Sequence, residues 1–241
     1  MMNDSVTVLI PVYNEAPRIE GLLDGVLKTM PGLKVSWKVI IINDGSTDWS
    51  APLERSLTAH ENIAIRSMSP NRGKGAVLND MFGEIESALT VVIDGDGEYP
   101  PSDIPAVLQP LLNNEADWVL GSRFGFGRER PPQYMLTYLA NRLINLAFRL
   151  MSGLRFHDIL SGLYAYRSEL TRSVHLDSRR FSFTPELIWR VQRMHRPRWK
   201  EVPADYHFRT YGEGKKIRWW ETFTILCSIC KYRFKKLDQI P

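Results

Sequence analysis

The chain has 241 residues, of which 44% are hydrophobic and 24% charged, and its formal net charge is +4. That length admits one large α/β domain or two smaller ones, and two cysteines exclude a disulfide-rich scaffold. Ordinary apolar and charged fractions argue against disorder, and no run of about 18 apolar residues predicts a transmembrane helix. The first residues lack a basic stretch ahead of an apolar one, so no secretion signal is expected. The modest total charge conceals two unlike halves. Residues 1–120 carry 8 basic and 17 acidic side chains, whereas residues 121–241 carry 23 and 10. An acidic first half suits a bound cation, and a basic second half suits an anionic partner such as a phosphate, a membrane surface or nucleic acid.

Short β-branched runs at Val6–Val12, Trp37–Asn43, Ile63–Ser67, Thr90–Asp94 and Trp118–Gly121 predict buried strands. Helical stretches fall between them at Pro17–Thr29, Pro52–Ala59, Lys74–Ser87 and Ile104–Asn113, with Ser102-Asp103 as the expected cap of the last. This alternation predicts a mostly parallel sheet covered by helices on both faces. Beyond a Gly/Pro/Arg-rich loop at 123–132, apolar spacing at Leu136, Leu139, Leu143, Leu146 and Leu150 predicts an amphipathic helix over Gln133–Met151. Strands are expected at Leu163–Tyr166 and Val202–Phe208, and helices at Thr184–Met194 and Trp219–Lys236.

The sharpest local feature is Asp94-Gly95-Asp96-Gly97-Glu98, leaving the end of a strand. Ligands of open parallel sheets bind beyond the carboxyl ends of strands, and hard oxygen donors suit Mg²⁺ or Mn²⁺. An ordinary acidic turn explains the same residues equally well. Two further strand ends carry Asn14-Glu15 and Asn43-Asp44, so one rim collects acids and amides. The glycine fingerprints of dinucleotide and P-loop sites are absent, although Asn71–Ala76 offers backbone amides and cations at a helix start, as a diphosphate requires.

In this order the motifs resemble the family-2 glycosyltransferases of GT-A fold, in the polyprenyl-phosphate sugar transferase branch typified by dolichyl-phosphate mannose synthase. The resemblance rests on PVYNE at 11–15, NDGSTD at 43–48, NRGKGAVLN at 71–79, DGDGEYPP at 94–101 and GSR at 121–123. It continues through DILSGLYAYR at 158–167, FTPELIWR at 183–190 and RTYGEGKK at 209–216. It implies a GT-A, Rossmann-like domain over 1–214, with a nucleotide-binding half (1–122), an acceptor half (123–214) and a basic amphipathic C-terminal segment (215–241). It implies that Pro11, Tyr13, Glu15, Asp44, Lys74 and Asp94 serve the nucleotide, and that Asp94, Asp96 and Glu98 hold Mg²⁺ or Mn²⁺. Asp96, Arg123, Arg209 and Lys215 are then expected to carry catalysis and phosphate contacts. Gly95 and Gly97 stand where the family has Ala and Leu, and are expected to loosen the loop. A basic residue expected near the helix at Gln133 is missing, with Arg128, Arg130 or Arg142 as substitutes.

The chemistry then follows from charge. A nucleotide–sugar bond breaks when charge on the leaving diphosphate is neutralised by a divalent cation and basic groups. A phosphate acceptor, ionised near pH 7, needs cations to bind it rather than a base to deprotonate it. The expected reaction is inverting sugar transfer to a polyprenyl or dolichyl phosphate at the cytoplasmic membrane face, in cell-envelope glycan or protein glycosylation. A glycan hydroxyl acceptor with Glu186 as base, and a basic nucleic-acid-binding module, are the rival readings. The C-terminal segment, with cations and Trp219-Trp220 around a short apolar run, suits an interfacial helix, a helix docked on the domain or the seat of a membrane-anchoring subunit. Cys227 and Cys230 are expected to be a buried apolar pair, and the five scattered histidines carry no assigned role.

Overall fold

The structure, a computed structural model, describes residues 5–126, 135–180, 182–209 and 221–235. Its strands are β1 (Ser5–Val12), β2 (Ser36–Asp44), β3 (Ile63–Met68), β4 (Leu89–Ile93), β5 (Trp118–Ser122), β6 (Leu163–Arg167) and β7 (Trp199–Pro203). Its helices are α1 (Ala16–Thr29), α2 (Ala51–Leu57), α3 (Lys74–Phe82), α4 (Ile104–Leu112), α5 (Met135–Ser152), α6 (Phe183–His195) and α7 (Glu221–Phe234).

The described strands form one sheet in the order β3-β2-β1-β4-β6-β5-β7. Strand β6 runs antiparallel to β4 and β5, and every other pairing is parallel. The central strands are buried on both faces, which is why Val8, Leu9, Ile10, Ile41, Ile42, Val91 and Val92 form uninterrupted apolar runs. Helices α1, α2 and α4 supply one apolar layer, and α3, α5, α6 and α7 supply the other. In α1, Pro17 occupies the first turn and Ile19, Leu22, Leu23 and Val26 present one buried stripe. This is the mostly parallel GT-A architecture that the resemblance implies. Strand order reverses between β1 and β4, a switch point at whose carboxyl ends open sheets of this kind form a crevice.

Several local expectations change. Helix α3 ends at Phe82, before Gly83, rather than at Ser87. The expected strand over Val202–Phe208 starts earlier, at Trp199, and ends at Pro203. Ala204 N donates the last rung to the Ser122 carbonyl (2.9 Å), and residues 204–209 then leave the sheet and cross the crevice. Asp103 does precede α4, but its carboxylate accepts the Asp205 amide (2.6 Å) instead of capping the helix.

The leucine stripe of α5 faces outward. Leu136, Leu139, Leu143, Leu146 and Leu150 are 49–77% exposed, while Ile144, Asn145 and Phe148 form the buried contact. Helix α7 packs on α5 and α6 through Ile225, Ser228, Ile229 and Tyr232, an i, i+3, i+4, i+7 face. This leaves Cys227 and Cys230 exposed, contrary to the expected burial, because they lie off that face. The segment 215–220, with its cations and paired tryptophans, lies outside the described residues. No described helix is long and apolar enough to cross a membrane.

Candidate functional site

The acidic loop begins where β4 meets β1. Gly95 N donates to the Pro11 carbonyl (3.3 Å) and Asp94 N to the Gly162 carbonyl (3.2 Å). A Cβ on Gly95 would collide with Val12, and Gly97 adopts φ +74°. Close strand approach and a left-handed turn therefore demand these glycines, which fix the loop instead of loosening it. Gly162 is a position the sequence did not single out. A Cβ there would run into the Asp94 carboxylate, so the glycine admits Asp94 to its place.

Asp96 is the electrostatic centre. Its pKa is pushed up to about 8, first by burial and then by the charges of Asp94, Glu98 and, less strongly, Glu15. Two cations offset this crowding. Lys74, the first residue of α3, pairs with Asp94. Arg209, in the segment crossing the crevice, bonds Glu15 (2.9 Å) and stands 3.9 Å from Asp96. Asp94 and Asp96 thus supply hard oxygen donors beside a groove that lacks enough positive charge. They fit a Mg²⁺ or Mn²⁺ ion completed by diphosphate oxygens and water. The expected third ligand does not join them. Glu98 accepts the Tyr206 hydroxyl and the Arg209 amide (3.2 Å), and its carbonyl accepts His207 N (2.8 Å). Among the described residues no three acidic, histidine or cysteine side chains converge as a ready-made metal cage.

The nucleotide residues divide between rim and framework. Asp44 is buried, and its carboxylate accepts Arg72 N (2.7 Å), Gly73 N (2.7 Å) and Asn71 Nδ2 (2.8 Å). It shapes the 71–73 loop. The amides at the start of α3 are occupied as well, since Gly75 N and Ala76 N donate to the Arg179 carbonyl (2.8 and 3.3 Å). From that helix start the Lys74 side chain reaches the acidic loop at Asp94. Pro11 is buried in β1 and contributes its carbonyl to Gly95, while Tyr13 is half-buried on the rim. Asn14 and Ser46 tie the loops after β1 and β2 together: Asn14 N donates to Ser46 Oγ (3.0 Å) and Thr47 N to Asn14 Oδ1 (2.8 Å). Glu15 is buried between Arg209 and Arg18.

Two further candidate residues lie in the framework. Arg123 forms a bidentate pair with fully buried Asp158 (both 2.7 Å) and lies over the Tyr206 ring at 5.0 Å. Desolvation opposes its charge, but Asp158 outweighs that and holds its pKa well above the ordinary value. Its Nε and Nη2 are engaged by the framework through Asp158. Glu186 has no exposed surface, and its two oxygens accept Asp177 N and Ser178 N (both 2.8 Å) as well as Arg190. It anchors the 177–180 segment behind the Lys74 loop. Neither Asp158 nor Arg190 was foreseen; the run DILSG held the first, and Glu186 with Arg190 at i+4 held the second. Arg142 is exposed beside Tyr138, whereas Arg128, Arg130 and Lys215 lie outside the described residues.

Known proteins share this fold. The fold superposes on glucosyl-3-phosphoglycerate synthase from Mycobacterium tuberculosis, solved with Mn²⁺, uridine diphosphate and phosphoglyceric acid. The TM-score is 0.70 over 98% of this chain and 79% of that one, at 20% identity. In sequence, the chain is 26% identical over 216 residues to a dodecaprenyl-phosphate galacturonate synthase of Rhizobium johnstonii, covering 87% of this chain and 61% of the relative. It is 34% identical over 187 residues to glycosyltransferase AglJ of Haloferax volcanii, covering 76% and 57%. An undecaprenyl-phosphate 4-deoxy-4-formamido-L-arabinose transferase of Salmonella choleraesuis shares 27% over 212 residues, covering 87% and 62%. The chain therefore spans about three-fifths of the length of these relatives. The family model for glycosyl transferase family 2 matches residues 7–174, from β1 through the acid cluster to the Arg123–Asp158 pair, and the chain belongs to that family.

Proposed function

We propose that this chain transfers a sugar from a nucleotide diphosphate to the phosphate of a polyprenyl phosphate, with inversion at the anomeric carbon. The observation that carries the reading is the Asp94–Asp96 pair at the switch point, crowded enough to call for a cation and flanked by Lys74 and Arg209. The names of relatives that act on dodecaprenyl and undecaprenyl phosphates support the acceptor class.

Held by Asp94 and Asp96, Mg²⁺ or Mn²⁺ would supply Lewis-acid stabilisation of the leaving diphosphate. Lys74 is placed to exchange its Asp94 contact for a diphosphate oxygen, adding a cation where charge develops. Arg209 holds Glu15 and faces Asp96, so the 204–209 segment closes over the donor with its positive group inward. An acceptor phosphate oxygen then bonds to the anomeric carbon as the bond to the diphosphate breaks, and that electron pair leaves with the diphosphate. The phosphate is already ionised near pH 7 and needs no general base. The burial of Glu186 and its bonds to Asp177 N and Ser178 N support this reading over the hydroxyl-acceptor one.

The same reading places the enzyme peripherally on the cytoplasmic face of a membrane, with the leucine stripe of α5 as the contacting surface. Tyr138, in the first turns of α5, packs against Phe124 at 5.7 Å, just after Arg123, so the stripe starts beside the acceptor side of the crevice. Each leucine removed fully from water gains about 1.5–3 kcal/mol, and five on one face suffice for reversible attachment. Incubating the protein with GDP-mannose, UDP-glucose and related donors, polyprenyl phosphate and Mg²⁺ or Mn²⁺ tests the proposal. A glycolipid should form with one donor and disappear on chelation. Sugar transfer to a glycan with none to the lipid phosphate would overturn it.

A further inference from the structure

Helix α6 links the donor site to a second feature. At its first residue, the Phe183 ring lies 5.6 Å from the Lys74 ammonium. Its last residue lies about 18 Å further along the helix axis. There α6, α7 and the last turn of α5 enclose an open groove of about 690 Å³, lined by Met151, Trp189, Arg193, Arg196, Arg233 and Phe234. Lys235 also reaches it, and among the described residues no carboxylate lines it.

The cations in this groove differ in how they are used. Lys235 pairs with Asp177 (2.5 Å). Arg193 donates to the Lys235 carbonyl (2.5 Å) and to the Arg233 carbonyl, closing the C-terminal end of α7. Arg196 and Arg233 have no carboxylate within ion-pair distance among the described residues. Arg193 and Arg233 share the Trp189 ring, at 5.2 and 5.8 Å from its centroid. Arg193 and Arg233 therefore share one aromatic floor, and Arg233 has no carboxylate partner there among the described residues. Burial and the neighbouring Arg233 charge lower the Arg193 pKa, as expected where an anion is wanted. Planar guanidinium forks match a phosphate in shape as well as charge.

What surrounds the groove identifies the source of that phosphate. Met151 follows directly on Leu150, the last and most exposed leucine of the α5 stripe at 77%, and Phe234 on the facing wall is equally exposed. The leucines from Leu136 to Leu150 cover about 21 Å of helix. A soluble phosphate would gain nothing from this apolar border, whereas a lipid presents its phosphate at the edge of its acyl chains. We propose that this groove binds the phosphate of an anionic phospholipid through Arg196 and Arg233, fixing the end of α5 remote from the crevice at the headgroup layer. The proposal rests on the membrane contact assigned above to α5. It adds an orienting site to that contact: with one end of the stripe pinned, the crevice end is held against the same surface.

The test is vesicle co-sedimentation of the whole chain with phosphatidylcholine alone and with added phosphatidylglycerol. The wild-type protein should bind both and prefer the anionic vesicles by roughly tenfold or more, since each basic residue at such a surface contributes about fivefold. R196Q/R233Q should lose most of that preference, while its phosphatidylcholine binding, nucleotide affinity and thermal midpoint stay unchanged. Arg193 is left in place because it closes α7. L143Q/L146Q should weaken binding to both vesicles. Full preference in R196Q/R233Q would overturn the groove assignment, as would equal binding of both vesicles by the wild type. Displacement from anionic vesicles by millimolar inorganic phosphate at constant ionic strength would also overturn it, marking a site for free phosphate. No binding to either vesicle would instead contradict the α5 membrane contact itself.

Discussion

Two charged centres lie on either side of the crevice, and they are balanced differently. At the ends of β1 and β4, Glu15, Asp94, Asp96 and Glu98 crowd together faster than Lys74 and Arg209 neutralise them, and Asp96 shows the imbalance. After β5, Arg123 and Asp158 cancel one another's charge in a bidentate pair. Both centres lie in family motifs and both are largely dehydrated. Only the first retains an unmet demand for a cation, so only the first is equipped to change partners during a reaction. The second ties the turn after β5 to the 158–162 segment.

Substitutions can break or sharpen this contrast. Asp96→Ala should give the largest effect, a loss of turnover of about a thousandfold or more with Mg²⁺ or Mn²⁺ present. Its thermal midpoint should hold or rise, because a repelled carboxyl has been removed. Near-normal glycolipid formation by this variant would dissolve the contrast. Arg123→Ala should act on stability, costing about 3–5 kcal/mol in urea unfolding, because it strands Asp158 without a counter-charge. Unchanged stability with a selective rise in acceptor KM would move Arg123 back among the phosphate contacts.

Smaller effects sharpen the account further. Lys74→Met should weaken nucleotide diphosphate binding by roughly tenfold to a hundredfold, the loss of one charge-assisted hydrogen bond. In calorimetry without nucleotide, Mn²⁺ should bind this variant more tightly, since Asp94 is released. Asp117, at the start of β5, serves as a control remote from the crevice. Hydrogen bonds from Arg198 outweigh desolvation, and Arg167 adds to them, holding its pKa well below the ordinary value. A depressed carboxylate stabilises the fold above its unfolded pKa near 4 and loses that contribution as pH falls. Asp117→Asn should therefore cost about 1 kcal/mol at neutral pH, and the difference from wild type should shrink in acid.

Much of the first half was legible in the sequence because its strands are buried on both faces and bracketed by turn residues. The Val6–Val12 and Trp37–Asn43 runs could be little else, and the acids that follow them had to share one rim. The second half was harder for identifiable reasons. Strand β7 lies at the sheet edge, where burial imposes less pattern, so its register shifted from Val202–Phe208 to Trp199–Pro203. Apolar spacing in α5 announced a helix but not which stripe faced inward, because Ile144 and Phe148 oppose the leucines. Roles changed most where motif residues bond one another across long sequence distances. Asp44 turned out to hold the 71–73 loop, Arg123 to answer Asp158, and Glu98 to bind Tyr206. No local pattern reveals such pairings. The +13 of the second half is likewise not a single acceptor surface, since Arg123 and Arg190 are buried against acids while Arg196 and Arg233 remain open.

The central claim is that the acceptor is a phosphate, made reactive by its own charge and needing no protein base. The most direct measurement offers the enzyme one accepted nucleotide sugar, Mg²⁺ or Mn²⁺, and equal amounts of a polyprenyl phosphate and the corresponding polyprenol. Sugar transfer to the phosphate alone is the predicted result. Transfer to the polyprenol at a comparable rate would contradict it.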